Sequence, residues 1–147
     1  MVYGKFKIDK GDMEGAKMVI TKDSNPYKNK TADNSKFEFE LEYEHEYLFT
    51  FSKKGYITKK ILFDTKVPPA RKSEVFEPFP FDVTLFKQYD GVNIIVFNQP
   101  VGKIAFNLEK DDFDYDMDYT KSIQAALKAA ETQIEEKRKA EEITENE

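Results

Sequence analysis

Five aspartates stand close together late in the chain, at Asp111, Asp112, Asp114, Asp116 and Asp118. Hard cations such as Ca²⁺ are bound by several carboxylate oxygens, and alternate aspartates place such oxygens on one side of an extended loop. Asp112, Asp114, Asp116 and Asp118 are therefore the candidate metal ligands. An EF-hand loop also needs glycine at its sixth position and glutamate at its twelfth. The registers that begin at Asp112 and Asp114 supply neither.

The same run has an interpretation without a metal. Phe113, Tyr115, Met117 and Tyr119 alternate with the acids, as in an extended segment that buries aromatic rings and leaves carboxylates in water. Acidic side chains also suit the approach to a helix N-terminus, where backbone amides lack partners. We expect this arrangement, and predict neither a metal nor a cofactor.

His45 is the one histidine, and it stands among Glu42, Glu44 and Glu46 in a chain without cysteine. A transition-metal site would need further nitrogen or sulfur ligands, and nucleophilic catalysis would need a serine or threonine with His45 as base. No serine stands in a G-x-S-x-G turn, and no glycine-rich phosphate loop is present. We predict an exposed loop position for His45 and no enzymatic activity.

The composition limits the classes of partner that this chain is expected to bind. A net charge of -5 argues against nucleic acid, and the basic run at Lys53, Lys54, Lys59 and Lys60 has acidic flanks typical of a solvated strand face. The absence of cysteine leaves the compartment open. No apolar run approaches the roughly 18 to 20 residues that span a bilayer, and no signal peptide is recognisable.

The elements that must position these residues are mostly strands. Apolar and polar residues alternate over short segments separated by turn residues, as in an all-β sandwich. The predicted strands cover 2–8, 15–22, 27–31, 36–41, 47–51, 57–64, 81–86, 92–97 and 101–107. Four prolines between 65 and 80 predict an extended loop there.

From Asp118 to Glu142 the period becomes helical. The apolar stripe consists of Tyr119, Ile123, Ala126, Leu127, Ala130 and Ile134. Asp116 or Asp118 can cap the helix start, and the charged tail to 147 has little to bury, so we expect it to fray. Docking of the stripe on the sandwich, with a free charged end, is the first prediction, and a homodimer through the helix is the alternative.

Four motifs occur in a recognisable order. They are Val2-Tyr3-Gly4-Lys5-Phe6, the segment 13–20, Thr31-Ala32-Asp33 leading to Phe37-Glu38-Phe39, and Tyr47 through Lys54-Gly55-Tyr56. This order resembles the carboxypeptidase regulatory-like, transthyretin-like β-sandwich, over residues 2 to 88. The family's turn glycines are replaced here, by Ser35 before Lys36 and within Glu44-His45-Glu46 before Tyr47. Asn34 can adopt the left-handed conformation that the first turn requires.

The resemblance implies a mainly β, Ig-like Greek-key sandwich over 1–88. A β extension with the Asp-rich segment would follow over 89–117, and a charged amphipathic helix with a frayed tail over 118–147. Such modules are non-catalytic spacers and interaction domains, frequent in envelope and secreted proteins of Bacteroidetes-like bacteria. We therefore expect a structural or protein-interaction module with an unidentified protein partner.

The expected location is periplasmic, outer-membrane-associated or at the cell surface, with any signal peptide removed, and a cytoplasmic location stays open. A glycan- or calcium-binding module, or an accessory domain of a larger envelope enzyme, are the alternative functions. For glycans, the rings outside the predicted core faces are Tyr3, Phe86 and Tyr89, but tryptophan is absent.

Some adhesin repeats with a related sandwich join a first-strand lysine to a late-strand asparagine or aspartate. By that resemblance, Lys5 or Lys7 would bond to Asp82 or Asn93. The strand alternation instead predicts that both lysines face water, so we expect no such bond.

Overall fold

A computed structural model describes residues 1–31 and 35–145 of the chain. The predicted turn at Asp33 and Asn34 lies outside the described residues, as do the last two residues of the tail predicted to fray. Within the described residues, no helix is both long enough and apolar enough to cross a membrane.

Strands dominate the first three quarters of the chain, and one long helix ends it. The strands are β1 (Val2–Ile8), β2 (Lys17–Lys22), β3 (Asn25–Thr31), β4 (Lys36–Phe39), β5 (Glu46–Ser52), β6 (Lys59–Asp64), β7 (Phe79–Pro80), β8 (Val83–Leu85), β9 (Gly102–Asn107) and β10 (Asp112–Tyr115). The helix is α1 (Met117–Glu145), and short 3₁₀ turns lie at Pro69–Arg71 and Ile95–Asn98.

The smaller sheet is organised around β1. One edge of β1 pairs antiparallel with β4, and the other pairs in parallel with β7 and then with β8. Gly4 allows this closeness, because an ideal Cβ at Gly4 would lie 1.7 Å from the carbonyl oxygen of Phe81. The Phe81 N–H donates to the Tyr3 carbonyl at 3.0 Å, so the backbone approach is part of the sheet.

The larger sheet has six strands in the order β10-β9-β6-β5-β2-β3. All its pairs are antiparallel except β6 with β9. The predicted extension after residue 88 thus supplies two strands of the same sheet as β5 and β6.

The two sheets pack face to face on an aromatic core. Tyr47, Phe49 and Phe51 alternate with more exposed residues along β5, and all three are fully buried. Ring contacts cross the core, with Phe51 lying 5.0 Å from Phe6 between centroids. The predicted mainly β architecture, with two packed sheets and one C-terminal helix, is confirmed.

Residues 92–97 depart from the predicted strand. Ile95–Asn98 forms a 3₁₀ turn, and its buried residues Val96 and Phe97 pack in a second apolar cluster. A short run of consecutive apolar residues has no period that separates strand from helical turn. Here Val96 and Phe97 form a helical turn, because they pack in the same apolar cluster as the C-terminal helix.

The helix docks along its length. Ile123, Ala130 and Ile134 are buried in that second cluster, together with Ile57. The last turns, predicted to be free, also lie against the sandwich, since the Arg138 guanidinium is 3.0 Å from Asp9. Two further ion pairs join Lys87 to Glu141 at 2.7 Å and Lys10 to Glu142 at 3.0 Å.

Candidate functional site

A cavity of about 360 Å³ opens at one end of the sandwich, beside the segment between β6 and β7. Its inner wall carries aromatic and aliphatic side chains, and its rim carries charged ones. The inner residues are Val2, Leu41, Tyr43, Phe63, Thr65, Phe76, Phe79 and Phe113, and the charged residues are Glu40, Lys72, Glu74 and Glu77. Concave apolar sites with a few polar groups are the usual form of binding pockets.

Phe76 fastens the loop that borders the cavity. Its ring centroid lies 5.2 Å from that of Phe113, 5.7 Å from Phe106 and 5.8 Å from Tyr43, in edge-to-face contacts. The Arg71 guanidinium lies 5.2 Å from the same ring. The loop therefore has a fixed aromatic anchor at one position.

Ionic contacts hold the loop as well. Arg71 pairs with Glu74 at 2.8 Å and also with Asp111. The Tyr43 hydroxyl donates to the Glu74 carbonyl. The next residue, Val75, is 97% exposed. The anchored loop thus presents an aliphatic side chain to solvent at the cavity's lip.

Thr65 is the buried polar residue of the cavity wall, and its hydrogen bonds are satisfied within the fold. Its hydroxyl donates to the Glu42 carbonyl at 2.7 Å and accepts the His45 N–H at 3.1 Å. It ties the end of β6 to the loop before β5, and its hydroxyl is already engaged with the backbone.

The aspartates of the predicted metal run act on the backbone beside them. Asp112 Oδ1 accepts the N–H of Phe113 at 2.7 Å, and Asp114 Oδ1 accepts the N–H of Tyr115 at 2.8 Å. Because β10 is an edge strand, these carboxylates occupy amides that would otherwise be open to another strand. The hydrogen bond from Lys110, followed by that amide bond, lowers the pKa of Asp114.

The other two candidate aspartates, Asp116 and Asp118, lie at the start of α1. Asp116 Oδ1 accepts the N–H of Tyr119 at 3.1 Å and so caps α1, whereas Asp118 is exposed in the first helical turn. Among the described residues, no three His, Cys, Asp or Glu side chains are grouped to hold a metal ion. Phe113 and Tyr115 pack against the core as predicted, while Met117 is 55% exposed.

His45 joins two loops at the sandwich surface. Its Nδ1 lies 2.6 Å from Asp23 Oδ2, and its Nε2 lies 3.7 Å from Glu42 Oε2. The hydrogen bond with His45, followed by that from the Glu46 N–H, lowers the pKa of Asp23. The imidazole thus faces two carboxylates, and the nearby Thr65 hydroxyl bonds to backbone groups instead of the ring.

The rings considered for glycan binding are separated in the fold. Phe86 and Tyr89 pack in the cluster beneath α1, while Tyr3 is 44% exposed on the smaller sheet. The Tyr89 hydroxyl donates to Glu141 at 2.7 Å. Burial and the bond to Glu141 raise the pKa of Tyr89 to about 12.

The basic run has local partners too. Lys53 pairs with Asp12 at 3.1 Å, and the Lys60 ammonium donates to the Asn98 carbonyl at 3.3 Å. Lys59 lies 4.9 Å from the Phe86 ring centroid, and burial lowers its pKa.

Lys5 and Lys7 are exposed, as the alternation predicts, and so are Asp82 and Asn93. The Asp82 carboxylate accepts the backbone N–H of Lys5 at 2.8 Å. Asp82 thus fastens β1 through the main chain.

Scans against protein-family models, curated proteins and solved structures returned no match to this chain. The cavity was missed at the sequence level, although one signal was available. Two phenylalanines, Phe76 and Phe79, stand in a loop that is rich in proline and charged residues, where solvent alone would not favour aromatic rings.

Proposed function

We propose that this protein is a non-enzymatic interaction module of the bacterial cell envelope, with a transthyretin-like sandwich as its scaffold. In this proposal, a partner protein inserts an apolar side chain into the cavity beside the loop from Thr65 to Pro80. The cavity carries the proposal. The order of the sequence motifs and the two-sheet sandwich support the scaffold assignment, and the envelope location rests on the resemblance.

The size and lining of the cavity suit a side chain better than a large ligand. At about 360 Å³, it lies near the lower end of the roughly 300 to 1,000 Å³ typical of ligand pockets. Protein interfaces concentrate binding energy in a few aromatic or aliphatic anchors that fill such pockets. Phe63, Phe79 and Phe113 provide the apolar wall that an anchor requires.

The rim adds a charge preference. Glu40 and Glu77 line the cavity, and neither carboxylate has an ion pair among the described residues. Lys72, the rim cation, lies 3.9 Å from Glu44. The partner segment would therefore carry lysine or arginine beside its apolar anchor, since opposite charges at a rim speed association and select partners.

The alternatives are less well supported by the side-chain positions. Three of the four aspartates proposed for calcium accept backbone amides, and Asp114 also pairs with Lys110. Two of the three rings proposed for a glycan platform pack beneath α1. No contact in the described residues points to an accessory role beside a catalytic domain. We therefore place partner binding first.

Site-specific photocrosslinking in the native organism tests the proposal. A benzophenone amino acid at Val75 is expected to crosslink a partner, whereas the same probe at Ile95 is the control, because both side chains are exposed aliphatics. Glu77→Lys should abolish the product at position 75, and Glu109→Lys, away from the cavity, should not. Equal products at both probe positions, or a product unaffected by Glu77→Lys, would refute the cavity as the binding site.

A further inference from the structure

The final helix is attached to the sandwich in two different ways along its length. Ile123, Ala130 and Ile134 are buried in the apolar cluster beneath it. Beyond Ile134, no described residue belongs to either apolar cluster, and the only large aliphatic side chain there, Ile143, is 63% exposed. Residues 135–145, which we call the strap, therefore need another kind of attachment.

Two ion pairs attach the strap to the end of β1 and the turn that follows it. The Arg138 guanidinium lies 3.0 Å from the Asp9 carboxylate, and the Lys10 ammonium lies 3.0 Å from the Glu142 carboxylate. All four side chains keep a fifth or more of their surface in contact with water. An ion pair that water reaches in this way shifts an equilibrium by no more than about fivefold.

The segment that follows β8 makes further contacts with the strap. Glu141 accepts hydrogen bonds from the Lys87 ammonium and from the Tyr89 hydroxyl, both at 2.7 Å. Lys87 and Glu141 are also partly exposed, at 34% and 26% of their side chains. The strap thus crosses from the end of β1 to the segment after β8, and charged or hydroxyl groups hold it at both places.

Once released, the strap would not keep its structure alone. Arg138 lies 3.6 Å from Glu135 and 3.7 Å from Glu142 within the helix, and such pairs stabilise a helix by only a small amount. A helix of so few residues is marginal in water without tertiary contacts. Loss of the contacts with the sandwich should therefore open the backbone hydrogen bonds of the strap.

The two kinds of attachment respond differently to salt. Attraction between opposite charges is screened as the salt concentration rises, because the Debye length falls from about 10 Å at 0.1 M to about 3 Å at 1 M. Burial of Ile123 and Ile134 involves no charge and is not screened. We propose that the strap opens separately from the rest of the domain, and that ionic strength controls how often it is open. The strap lines no part of the cavity, so its opening does not depend on the proposed function.

Amide hydrogen exchange, followed residue by residue by NMR on the full chain, tests this opening. Raising NaCl from about 0.05 M to about 1 M should lower the protection of residues 136–144 about tenfold. Protection of residues 123–134 should change by less than about twofold, because these amides exchange only when the whole domain unfolds. One common protection factor for both segments at both salt concentrations would show that the helix opens as one unit, and would overturn the proposal. Unprotected amides in the strap at low salt would overturn it too, because the strap would then not be held on the sandwich.

Substitutions on the sandwich leave the sequence of the strap unchanged, so their effect on its exchange reports contact and not helix propensity. Asp9→Asn and Lys87→Met should each lower strap protection about three- to fivefold at low salt, and the double variant should respond to added salt by about threefold or less. Lys7→Met is the control, because it makes the same chemical change at an exposed position of β1. Protection of residues 123–134 in the same spectra shows that each variant is folded. The proposal fails if Asp9→Asn and Lys87→Met leave strap protection unchanged, if Lys7→Met causes an equal loss, or if the double variant keeps the full salt response.

Discussion

Docking of α1 can be tested with two isoleucines of the same helix. Ile134 is 3% exposed in the cluster beneath the helix, whereas Ile143 is 63% exposed nine residues later. Replacing each with alanine makes the same chemical change within one helix. The two variants differ mainly in what surrounds the side chain.

The expected size of the effect follows from burial. Ile→Ala removes three carbons, worth roughly 2.4 kcal/mol at about 0.8 kcal/mol for each buried methylene. The cavity left behind adds to this, within the roughly 2 to 5 kcal/mol observed for such changes. Ile134→Ala should therefore lower the free energy of unfolding by about 3 kcal/mol. Ile143→Ala should change it by less than about 0.5 kcal/mol.

Urea denaturation followed by circular dichroism measures both changes, and each kcal/mol should lower Tm by roughly 2 to 4 °C in a chain of this size. Amide hydrogen exchange in α1 provides a second measurement, since a docked helix is protected by the stability of the whole domain. Equal losses in the two variants, or rapid exchange throughout α1, would show that the helix does not pack on the sandwich.

Three further predictions concern separate parts of the fold. Gly4→Ala should cost about 3 kcal/mol or more, because the new methyl meets the Phe81 carbonyl oxygen at 1.7 Å; urea denaturation measures it. Asp116→Ala should cost about 1 kcal/mol through loss of the helix cap, and Ca²⁺ should leave Tm unchanged before and after the substitution. Tyr89 should titrate near pH 12 by phenolate absorbance, with its folded pKa above the unfolded value, so its contribution to stability is present below about pH 10 and is lost between pH 10 and 12.

Each of these has a matched control in the chain. Gly102→Ala meets side-chain atoms no closer than 3.4 Å, and a cost as large as that of Gly4→Ala would contradict the steric argument. Asp118→Ala removes an exposed carboxylate from the same helical turn and should cost less, about 0.3 to 0.5 kcal/mol, because only its attraction to the helix N-terminus is lost. Tyr89→Phe should reduce the loss of stability between pH 10 and 12, to which Tyr47, Tyr115 and Tyr119 also contribute because burial raises their pKa values. Tyr3→Phe should leave that loss unchanged.

Most of the strands and the helix could be predicted from the local spacing of apolar and polar residues. Tyr47, Phe49 and Phe51 are buried on one face of β5, as their spacing indicates. The helix was predicted over 118–142 and spans Met117–Glu145. In both elements, burial repeats with the period of the backbone. A pattern of this kind needs no knowledge of which partner buries it.

Features that depend on distant partners were less accessible. The parallel pairing of β6 with β9 joins Ile61 to Gly102, and nothing local to either strand specifies it. The ion pair between Asp9 and Arg138 spans 129 residues. The sequence of the tail by itself shows only a fading apolar stripe, so docking of the last turns could not be predicted from it. The 3₁₀ turn at Val96 was also not predictable from local sequence, because the apolar surface that buries Val96 is provided by α1.

In the candidate site, too, local spacing could be predicted from the sequence, whereas contacts between distant segments could not. Spacing singled out the aspartates, and the structure explains them through backbone amides: two on the β10 edge and one at the start of α1. The cavity depends on a loop folded back over strand ends, with Phe76 in contact with Tyr43 and Phe113. A residue pattern indicates which face of a strand or helix is buried. It does not indicate where a cavity forms at the ends of several elements.

The parallel pairing of β1 has a consequence for how the chain folds. The N–H of Lys5 is bonded by Asp82, 77 residues away, so β1 is completed only after a long stretch of later chain has been made. Contacts this distant in sequence raise the contact order, which slows folding toward the millisecond-to-second range of β-rich domains. During synthesis, the edge of β1 that pairs with β7 and β8 stays unpaired until those strands are made. We expect refolding to be slow, and to be limited by closure of this long loop.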